Sequence, residues 1–330
     1  QPELAPTRST AGPNPTLRWA IDIAAPATWW GQRWGDRYFA YSLAAALRRL
    51  GQQVAVDHRE ARTRETRRFD DVVLTLRGID SVFAAPGPLN LMWVISHPDE
   101  IGREEAASYD RVFAASAQWA QQRAADWGIR IEPLLQCTDA ELFAPGRGVP
   151  DTGPAVLFVG NARQGGSRPV IDYAVAAGVP VQIYGSDWER TKAAQLVVAK
   201  LAPNGELGTL YANAEVVLND HWADMARSGF ISNRLFDAVA CGTRVLSDRV
   251  DGIAELFGDS VQFYESPADL AAILARPRDA VWPGLEERLR TAETVRAEHS
   301  FDKRAAQLLA TAVQALDERS RQGLQRATAR

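Results

Sequence analysis

Residues 229–248 read GFISNRLFDAVACGTRVLSD, and this stretch decides the fold. A polar trio at 232–234 opens an apolar run of helical length, which stops at Cys241 and Gly242. The segment 243–248, TRVLSD, then has the composition of a short strand. A helix that leads directly into a strand is part of a βαβ unit, and such units build parallel sheets.

The same alternation of strands and helices runs along the rest of the chain. Strands are predicted at 17–22, 52–58, 71–76, 90–96, 110–116, 130–136, 155–160, 179–185, 214–220, 243–248 and 261–264. Helices are predicted at 37–51, 99–109, 117–128, 167–177, 189–200, 233–241, 252–257, 285–298 and 301–321. This order predicts an α/β protein with two Rossmann-like, doubly wound parallel sheets.

A stretch dense in proline and glycine, FAPGRGVPDTGP, interrupts the pattern at 143–154 and marks a domain boundary. The first residues, rich in Pro, Ser and Thr, have the composition of a linker, and the chain is interpreted as a piece of a longer protein. The predicted organisation is a flexible tail at 1–16, an N-terminal domain at 17–143, a linker at 144–154, a C-terminal domain at 155–300 and a terminal helix at 301–330.

Composition excludes several classes of protein. The 330 residues are 46% apolar and 24% charged, as in globular proteins, and the net charge of −4 argues against a general nucleic-acid binder. Apolar runs are too short for a transmembrane helix. Cys137 and Cys241 match no metal-site spacing and are expected to be buried thiols, which favours a cytoplasmic location.

Ligands of doubly wound sheets bind at the carboxyl ends of the strands, so the loops that follow strands are the candidate sites. The loop 159–169, VGNARQGGSRP, carries Arg163 and Arg168, which suit bidentate phosphate contacts. The segment 218–230 places Asp220 and His221 directly after a strand. Each group has a plain alternative, a solvated turn for the first and a helix cap for the second.

The helix start within 229–248 is a third candidate. Ser232 or Asn233 is predicted to cap the helix, and the free N–H groups of its first turn favour an anion. Arg234 adds positive charge, and the Asp237 carboxylate, one turn inside, can accept hydrogen bonds from ribose hydroxyls. In the alternative interpretation, Asp237 only compensates the helix dipole.

The segment 207–270 resembles the C-terminal donor domain of GT-B glycosyltransferases. It is most similar to the CgeB-like (spore-maturation type) branch of the glycosyltransferase group 1 superfamily, through the phrases YANAEVVLNDHW, GFISNRLFDAVACG and DGIAELFGD. FVGNAR at 158–163 and AEHSFDKRAAQLL at 297–309 fit the same pattern. The first half matches less closely, through RWAIDI, WGDRYFAYSLAAALRRLG and WVISHPDEI.

The resemblance implies the GT-B fold, with two facing domains, a cleft between them and an acceptor bound by the first. It also implies that the terminal helix at 301–330 returns to the first domain. The C-terminal domain would hold a nucleotide-diphosphate sugar, without metal or other cofactor and with retention of configuration. Asp237 takes the place of the ribose-binding Glu of the wider superfamily, whereas Gly229 stands where that superfamily has a first Glu. The donor-site residues are then expected to be Arg163, Tyr184, Asp220, His221, Ser232, Asn233, Arg234 and Asp237.

Two groups in the first domain are candidates for catalysis and substrate binding. His97 follows a strand and is expected to act as a general base or to contact the transferred sugar, unless it caps the next helix. The loop 29–36, WWGQRWGD, is expected to bind diphosphate or acceptor through Gly31, Arg33, Gly35 and Asp36. Its indoles, Trp29, Trp30 and Trp34, either stack on sugar rings or pack the loop. In the second domain, Trp188 and Tyr184 follow another strand. These two side chains either line the nucleotide pocket or lie in the core.

The predicted function is a hexosyltransferase-like glycosyltransferase of bacterial polysaccharide biosynthesis. Its acceptor would be a glycan, a lipid-linked glycan or another surface-polymer precursor. The arginine-rich run 58–68 would contact an anionic acceptor or the inner membrane face, unless it is a solvated loop. The alternatives are a non-catalytic GT-B binding module within a larger protein and a nucleotide-sugar epimerase. A dinucleotide oxidoreductase is disfavoured because no strand is followed by G-x-G-x-x-G.

Overall fold

The computed structural model describes residues 15–146, 155–163, 166 and 168–328. These residues form two compact units, of which one is Leu135–Ser300 and the other joins the chain before Leu135 to the chain after Ser300. Most of the predicted tail at 1–16 and of the predicted linker at 144–154 lies outside the described residues.

The strands are short and mostly buried. They are β1 Arg18–Asp22, β2 Gln53–Asp57, β3 Val72–Arg77, β4 Leu89–Val94, β5 Arg111–Ala114, β6 Ile131–Pro133, β7 Val156–Val159, β8 Gln182–Tyr184, β9 Val197–Ala199, β10 Val216–Asn219, β11 Arg244–Ser247 and β12 Val261–Phe263.

The α-helices connect these strands and close the chain. They are α1 Gly35–Arg49, α2 Arg103–Ala107, α3 Ala117–Trp127, α4 Pro169–Ala176, α5 Leu207–Asn213, α6 Ala223–Arg227, α7 Asn233–Ala240, α8 Ile253–Phe257, α9 Pro267–Ala275, α10 Leu285–Glu298 and α11 Phe301–Thr328. In the described part of the chain, no helix is both long and apolar enough to cross a membrane.

The first sheet has six parallel strands in the order β2-β1-β3-β4-β5-β6. Every residue of β3 and β4 is buried, as expected for central strands covered on both faces. The chain reverses its direction of winding between β1 and β3, and helix α11 packs on α1 in this unit. The loops that follow β1 and β3 therefore border the place where such sheets bind ligands.

The second sheet is also entirely parallel, in the order β12-β11-β10-β7-β8-β9. Counted from β7, this is the 3-2-1-4-5-6 order of dinucleotide-binding domains, with the reversal between β7 and β10. The prediction of two doubly wound parallel sheets is confirmed. The loops after β7 and β10 carry Arg163, Asp220 and His221.

Two predicted helices are wrong in part. The segment 189–200 holds only a 3₁₀ turn at Ala194–Leu196, followed by β9. Its last residues, Val197–Ala199, pair with β8. Val197 and Val198 are β-branched, and such residues favour an extended strand where a free sheet edge can form backbone hydrogen bonds with them. The segment 99–109 is divided at Gly102 into a 3₁₀ turn and the short α2. Helices α5, α6 and α9 were not predicted.

Glycines fix both ends of the segment that contains α7. Gly229 has φ 69° and ends α6, with Phe230 N–H donating to the Met225 carbonyl at 2.9 Å. Gly242 has φ 75° and ends α7, with Thr243 N–H donating to the Ala238 carbonyl at 3.2 Å. Both are Schellman turns, in which a left-handed residue satisfies the last helical carbonyls. Gly229 therefore has a backbone reason to be glycine.

The buried side of α7 holds the helix against the second sheet. Leu235, Phe236 and Val239 are at most 1% exposed, and Phe236 packs edge-on against Phe257 with ring centroids 5.0 Å apart. This packing fixes the start of the helix beside the carboxyl ends of the strands. Cys137 and Cys241, the two cysteines of the chain, are buried and form no disulfide, as predicted.

The loops after β7 and β8 touch through two glycines. A Cβ added to Gly185 would lie 2.0 Å from the Gly160 carbonyl oxygen, which also accepts the Trp188 indole N–H at 3.0 Å. The Gly160 N–H in turn donates to the Tyr184 carbonyl at 2.8 Å. This close approach positions the loop that leads to Arg163.

We expect Gly185→Ala to lower the free energy of unfolding of the second unit by about 1–3 kcal/mol, because the methyl group would overlap a backbone oxygen. Urea denaturation followed by circular dichroism measures the change. Gly205→Ala is the matched control, since a Cβ there meets nothing within 4 Å. Equal midpoints for the two variants would contradict this account of the loop contact.

Candidate functional site

A polar cluster lies at the carboxyl edge of the second sheet, where its winding reverses. The loop after β7 supplies Arg163, the start of α4 supplies Arg168, and the residues after β10 supply Asp220 and His221. The start of α7 adds Arg234. Each of these positions follows from the strand order and from the buried packing of α7.

Asp220 is the centre of the cluster and is only 3% exposed. Arg168 donates from Nε to its Oδ1 at 2.7 Å and from Nη2 to the same oxygen, while Arg163 Nη2 lies 3.4 Å from Oδ2. Arg163 also donates to the His221 carbonyl at 2.7 Å. A buried carboxylate requires such partners, so Asp220 fixes both guanidinium groups in place.

Aromatic rings support the same cations. The guanidinium carbons of Arg168 and Arg234 lie 5.1 Å and 4.9 Å from the centroid of the Phe158 ring. Arg163 stacks on Trp222 at 4.3 Å. Arg234 donates to Asn219 Oδ1 at 2.6 Å. Cation–π contacts stabilise a guanidinium without neutralising its charge.

The cluster retains a surplus of positive charge. Three arginines stand against the carboxylates of Asp220 and Asp248. Burial, together with repulsion from Arg168, lowers the pKa of both Arg163 and Arg234 below the usual arginine value. A lowered pKa means that the charged form of these arginines is less stable here than in water. A nearby anion would stabilise that charged form, so the cluster favours a negatively charged ligand.

His221 joins the strand end to the start of α7. Its Nδ1 lies 2.7 Å from Asp248 Oδ1, and its Nε2 accepts the Ser232 N–H at 2.9 Å. These two contacts require the neutral tautomer with its proton on Nδ1. Burial raises the pKa of Asp248, but the hydrogen bonds from His221 outweigh it and hold that pKa below its usual value.

The predicted side-chain cap of α7 is wrong. Ser232 is the N-cap residue, but its side chain makes no capping hydrogen bond. The Asn233 side chain instead donates to Asp237 Oδ2 at 2.7 Å. The Leu235 N–H donates to the Ser232 carbonyl at 3.0 Å. Because no side chain closes this end, the first two N–H groups of the helix, those of Asn233 and Arg234, are suited to an anion.

Asp237 is 7% exposed, and both of its oxygens already accept hydrogen bonds. Thr138 donates to Oδ1 at 2.8 Å, opposite the contact from Asn233. Burial raises the pKa of Asp237 from 3.8 to about 8, against the effect of these two donors. The Asp237 side chain therefore also ties α7 to residue 138, whose backbone N–H bonds the His299 carbonyl at 2.8 Å.

Several buried polar atoms of the cluster have no hydrogen-bond partner among the described residues: Arg163 Nε, Asp220 Oδ2 and Asn233 Oδ1. Buried polar groups are nearly always satisfied in native proteins. Arg163 Nε is a donor and is suited to an anion, whereas the other two atoms are acceptor oxygens, and Asp220 Oδ2 lies 3.4 Å from Arg163 Nη2. His, Cys, Asp and Glu side chains within the same described ranges form no group of three or more that could hold a metal ion.

The two aromatic candidates after β8 differ. Trp188 is 1% exposed and packs edge-on against Phe158, so of its two predicted roles the core role is correct. Tyr184 is half-buried at the end of β8 and packs against the core on the α7 side of the sheet. Its contact with a nucleotide stays a prediction.

In the first unit, His97 has a strained backbone. It follows β4 with φ 51° and ψ 54°, the left-handed region that non-glycine residues rarely occupy. Its side chain makes no capping hydrogen bond to the 3₁₀ turn Pro98–Glu100, so the capping alternative is wrong. Strain of this kind is concentrated at functional sites, which supports a role for His97.

The loop 29–36 is held by contacts within its own unit. A Cβ on Gly31 would lie 1.9 Å from the Pro26 carbonyl oxygen, and Asp36 Oδ2 accepts the Ala25 N–H at 3.1 Å. Gly35, the first residue of α1, has open space where a Cβ would lie. Substrate contacts of Gly31, Arg33, Gly35 and Asp36 stay predictions, and Gly31 and Asp36 also have structural roles.

Most arginines of the run 58–68 form ion pairs with carboxylates of their own unit. Arg64 pairs with Asp57 and Asp70, and Arg67 forms a two-bond pair with the buried Asp22 at 2.6 and 2.8 Å. Arg59 and Arg62 both pair with Asp80. These contacts favour neither a membrane nor a free anionic acceptor for this run.

Sequence reasoning missed four members of the second-unit cluster. Asp248 directly follows β11, so the strand-end rule that found Asp220 also applies to it. Asn219 is the strand residue before Asp220 and pairs in register with Ser247. Phe158 and Thr138 carry no comparable signal, because an apolar strand residue and a lone threonine are common everywhere.

Comparisons with known proteins agree with this architecture. Residues 163–310, just under half of the chain, match a family described as glycosyl transferase-like. No curated protein matches the sequence at a significant level.

Solved structures match over nearly the whole chain. A sucrose-phosphate synthase from Thermosynechococcus elongatus is 16% identical, with a TM-score of 0.65 over 92% of this chain and 100% of that chain. AviGT4, a glycosyltransferase involved in avilamycin A biosynthesis, is 17% identical, with a TM-score of 0.60 over 92% and 98%. HepE of Anabaena, solved with UDP-glucose, is 12% identical, with a TM-score of 0.58 over 90% and 100%.

The chain therefore has the two-domain α/β fold of GT-B glycosyltransferases. At these identities the structural matches establish the fold alone. The family match within 163–310 adds support for a glycosyltransferase at a general level. The CgeB-like branch stays a prediction.

The raised pKa of Asp237 gives a pH-dependent contribution to stability. Between about pH 4 and pH 8 the folded chain keeps a proton here that the unfolded chain releases, so this contribution falls as pH rises. Asp237→Asn keeps the shape without the titration. We expect its free energy of unfolding, relative to the natural protein, to be higher at pH 8 than at pH 5.

Urea denaturation at both pH values measures this difference. Glu287→Gln, which changes an exposed carboxylate on α10, is the control and should show no such trend. If the difference between the natural protein and Asp237→Asn were the same at both pH values, Asp237 would titrate as an ordinary carboxylate.

Proposed function

We propose that this protein is a GT-B glycosyltransferase that transfers a hexose from a nucleotide-diphosphate sugar to a glycan or lipid-linked glycan acceptor. The observation that carries the proposal is the cluster at the reversal point of the second sheet. It combines three arginines, an uncapped helix start and a buried guanidinium donor, Arg163 Nε, without a hydrogen-bond partner among the described residues. That combination suits a diphosphate.

The diphosphate is held by Arg163, Arg168 and Arg234, together with the first N–H groups of α7. Fixed donors of this kind neutralise the leaving diphosphate as the glycosidic bond breaks. Their charge makes a metal ion unnecessary in the proposed mechanism. Turnover that persists in EDTA would support this point, and turnover lost in EDTA and restored by Mg²⁺ would overturn it.

Asp237 accepts from the ribose hydroxyls in this proposal. Its carboxyl group keeps its proton below about pH 8, so beyond the bonds from Thr138 and Asn233 it has acceptor capacity for one ribose hydroxyl and a proton to donate to another. Asp220 and His221 act indirectly, by positioning the arginines and the Ser232 N–H. Retention of configuration is expected from the family resemblance, and NMR of the product anomer tests it.

The first test is the affinity for nucleoside diphosphates, measured by calorimetry with UDP, GDP, ADP and dTDP. We expect Arg234→Met to weaken binding of the preferred nucleotide by at least about tenfold, because it removes a charge-assisted contact. Arg290→Met on the exposed face of α10 is the matched control. Unchanged affinity in Arg234→Met would refute the diphosphate assignment.

Asp237→Ala separates the ribose contact from the diphosphate contact. We expect it to weaken binding of the nucleoside diphosphate while leaving binding of inorganic pyrophosphate unchanged, because pyrophosphate has no ribose. An equal loss for both ligands would mean that Asp237 acts only through the structure of α7.

A second candidate function is a non-catalytic nucleotide-sugar-binding module, favoured by Gly229 in place of the superfamily's first Glu. An epimerase is the third. Incubation with the nucleotide sugar distinguishes them. Release of free sugar supports transfer chemistry, and a changed sugar in the recovered nucleotide indicates an epimerase. If neither change occurs, the protein is a binding module.

The role of His97 is tested by relieving its backbone strain. We expect His97→Gly to keep or raise the melting temperature, because glycine adopts φ 51° without strain, and to reduce turnover by about a hundredfold or more if the imidazole moves a proton. Asp187→Gly is the matched control, because Asp187 is the other described non-glycine residue with positive φ, at 69°. It should keep full turnover.

If His97→Gly retained full turnover, His97 would be a structural residue. A coincident loss of turnover and of folding would be resolved by His97→Asn, which tolerates the same backbone conformation but cannot act as a base at neutral pH.

A further inference from the structure

The first unit exposes two large aromatic rings that its fold does not need. Trp29 is 68% and Trp30 42% exposed, on the 3₁₀ turn Trp29–Arg33 that follows β1. Burying a large apolar side chain stabilises a fold, so leaving two in water forgoes a considerable gain. Exposed apolar groups that lie together are typical of a binding surface.

The turn that carries these rings is rigid. Gly31 fits against the Pro26 carbonyl, and the Tyr38 hydroxyl donates to the Gln32 carbonyl at 2.8 Å. Glu60 accepts the Ala27 N–H at 2.9 Å. Because these contacts hold both sides of the turn, the indoles are presented in one fixed arrangement, with their planes at 87° and centroids 5.6 Å apart.

Two arginines close to this turn in sequence have guanidinium groups with no hydrogen-bond or ion-pair partner in the ranges that the structure describes. The Arg33 guanidinium lies 5.0 Å from the Trp30 ring and 5.6 Å from the Trp29 ring. Arg37 stacks on Tyr41 at 5.2 Å. Aromatic contacts leave the N–H edge of a guanidinium open, so both groups can bind a carboxylate or phosphate.

This group also lies in a suitable place. It follows β1, at the reversal of winding in the first sheet, where doubly wound folds bind ligands. The neighbouring loop after β3 is tied to it, because Arg59 pairs with Asp80 at 2.9 Å and lies 5.9 Å from the Trp34 ring. The surface is therefore part of an ordered edge.

We propose that Trp29, Trp30, Arg33 and Arg37 form a binding site for an acidic glycan, the acceptor of the transferase. A pyranose ring stacks on an indole, and its carboxylate or phosphate substituent bonds to Arg33 or Arg37. This inference rests on the proposed transferase function and adds the chemical class of its acceptor. A lipid surface is the less suitable occupant, because two indoles offer little area for stable anchoring.

The test measures binding of hexagalacturonate and maltohexaose to the whole chain by calorimetry. We expect hexagalacturonate to bind at least about tenfold more tightly, since it alone offers charge-assisted hydrogen bonds. Trp29→Ala should weaken both ligands by about tenfold through loss of stacking. Arg33→Gln should weaken hexagalacturonate by about tenfold and leave maltohexaose unchanged.

Arg123→Gln on α3 is the matched control, because Arg123 stacks on another surface indole, Trp127, at 5.7 Å. It should change neither affinity. Titration of the preferred nucleoside diphosphate into the same samples separates the two proposals. Intact nucleotide binding without glycan binding overturns the acceptor site alone, and absence of both overturns the transferase as well.

Equal affinity for the charged and neutral hexasaccharides, unchanged by Arg33→Gln, would overturn the acidic class. The last measurement is binding of the protein to vesicles that contain phosphatidylglycerol. If the natural protein binds these vesicles but no glycan, and Trp29→Ala abolishes the vesicle binding, the surface is a membrane-binding site and the proposal is overturned.

Discussion

The buried carboxylate of Asp220 is the interaction on which the second-unit site depends. A carboxylate buried this deeply requires cationic partners, and Arg163 and Arg168 meet that requirement from the loop after β7 and the start of α4. The same pairing holds both guanidinium groups at the carboxyl edge of the sheet. Positive charge is therefore already oriented before a ligand arrives, as electrostatic stabilisation of a leaving group requires.

Arginines serve different purposes in the two units. In the first unit, Arg64 and Arg67 pair with the buried carboxylates of Asp57 and Asp22, which end β2 and β1. These two arginines therefore stabilise the sheet edge. In the second unit, Arg163 and Arg168 share the single carboxylate of Asp220, while Arg234 bonds the neutral Asn219, which leaves a cationic surplus. The ratio of carboxylates to guanidinium groups, more than the number of arginines, distinguishes a structural cluster from a ligand site.

Local sequence rules account for a large part of this protein. Alternating strand and helix patterns predicted both parallel sheets, and the rule that ligands meet strand ends selected Arg163, Asp220 and His221, which the fold brings together. The helix start at 233 was also correct. Edge strand β9 was missed, because three residues of ladder carry less signal than the helical pattern around them.

The side-chain network was beyond such rules. Ser232 was expected to cap α7 with its hydroxyl, yet its backbone N–H binds His221, a residue from another strand end. Thr138 reaches Asp237 across 99 positions of sequence. Contacts of this kind depend on which loops become neighbours in space, and spacing along one segment does not specify them.

The central claim is that a diphosphate binds among Arg163, Arg168, Arg234 and the start of α7. A crystal structure with the preferred nucleoside diphosphate tests it most directly. The account predicts phosphate oxygens within hydrogen-bond distance, about 3 Å, of at least two of these guanidinium groups and of an α7 N–H. A nucleotide bound with its diphosphate away from this cluster would contradict it.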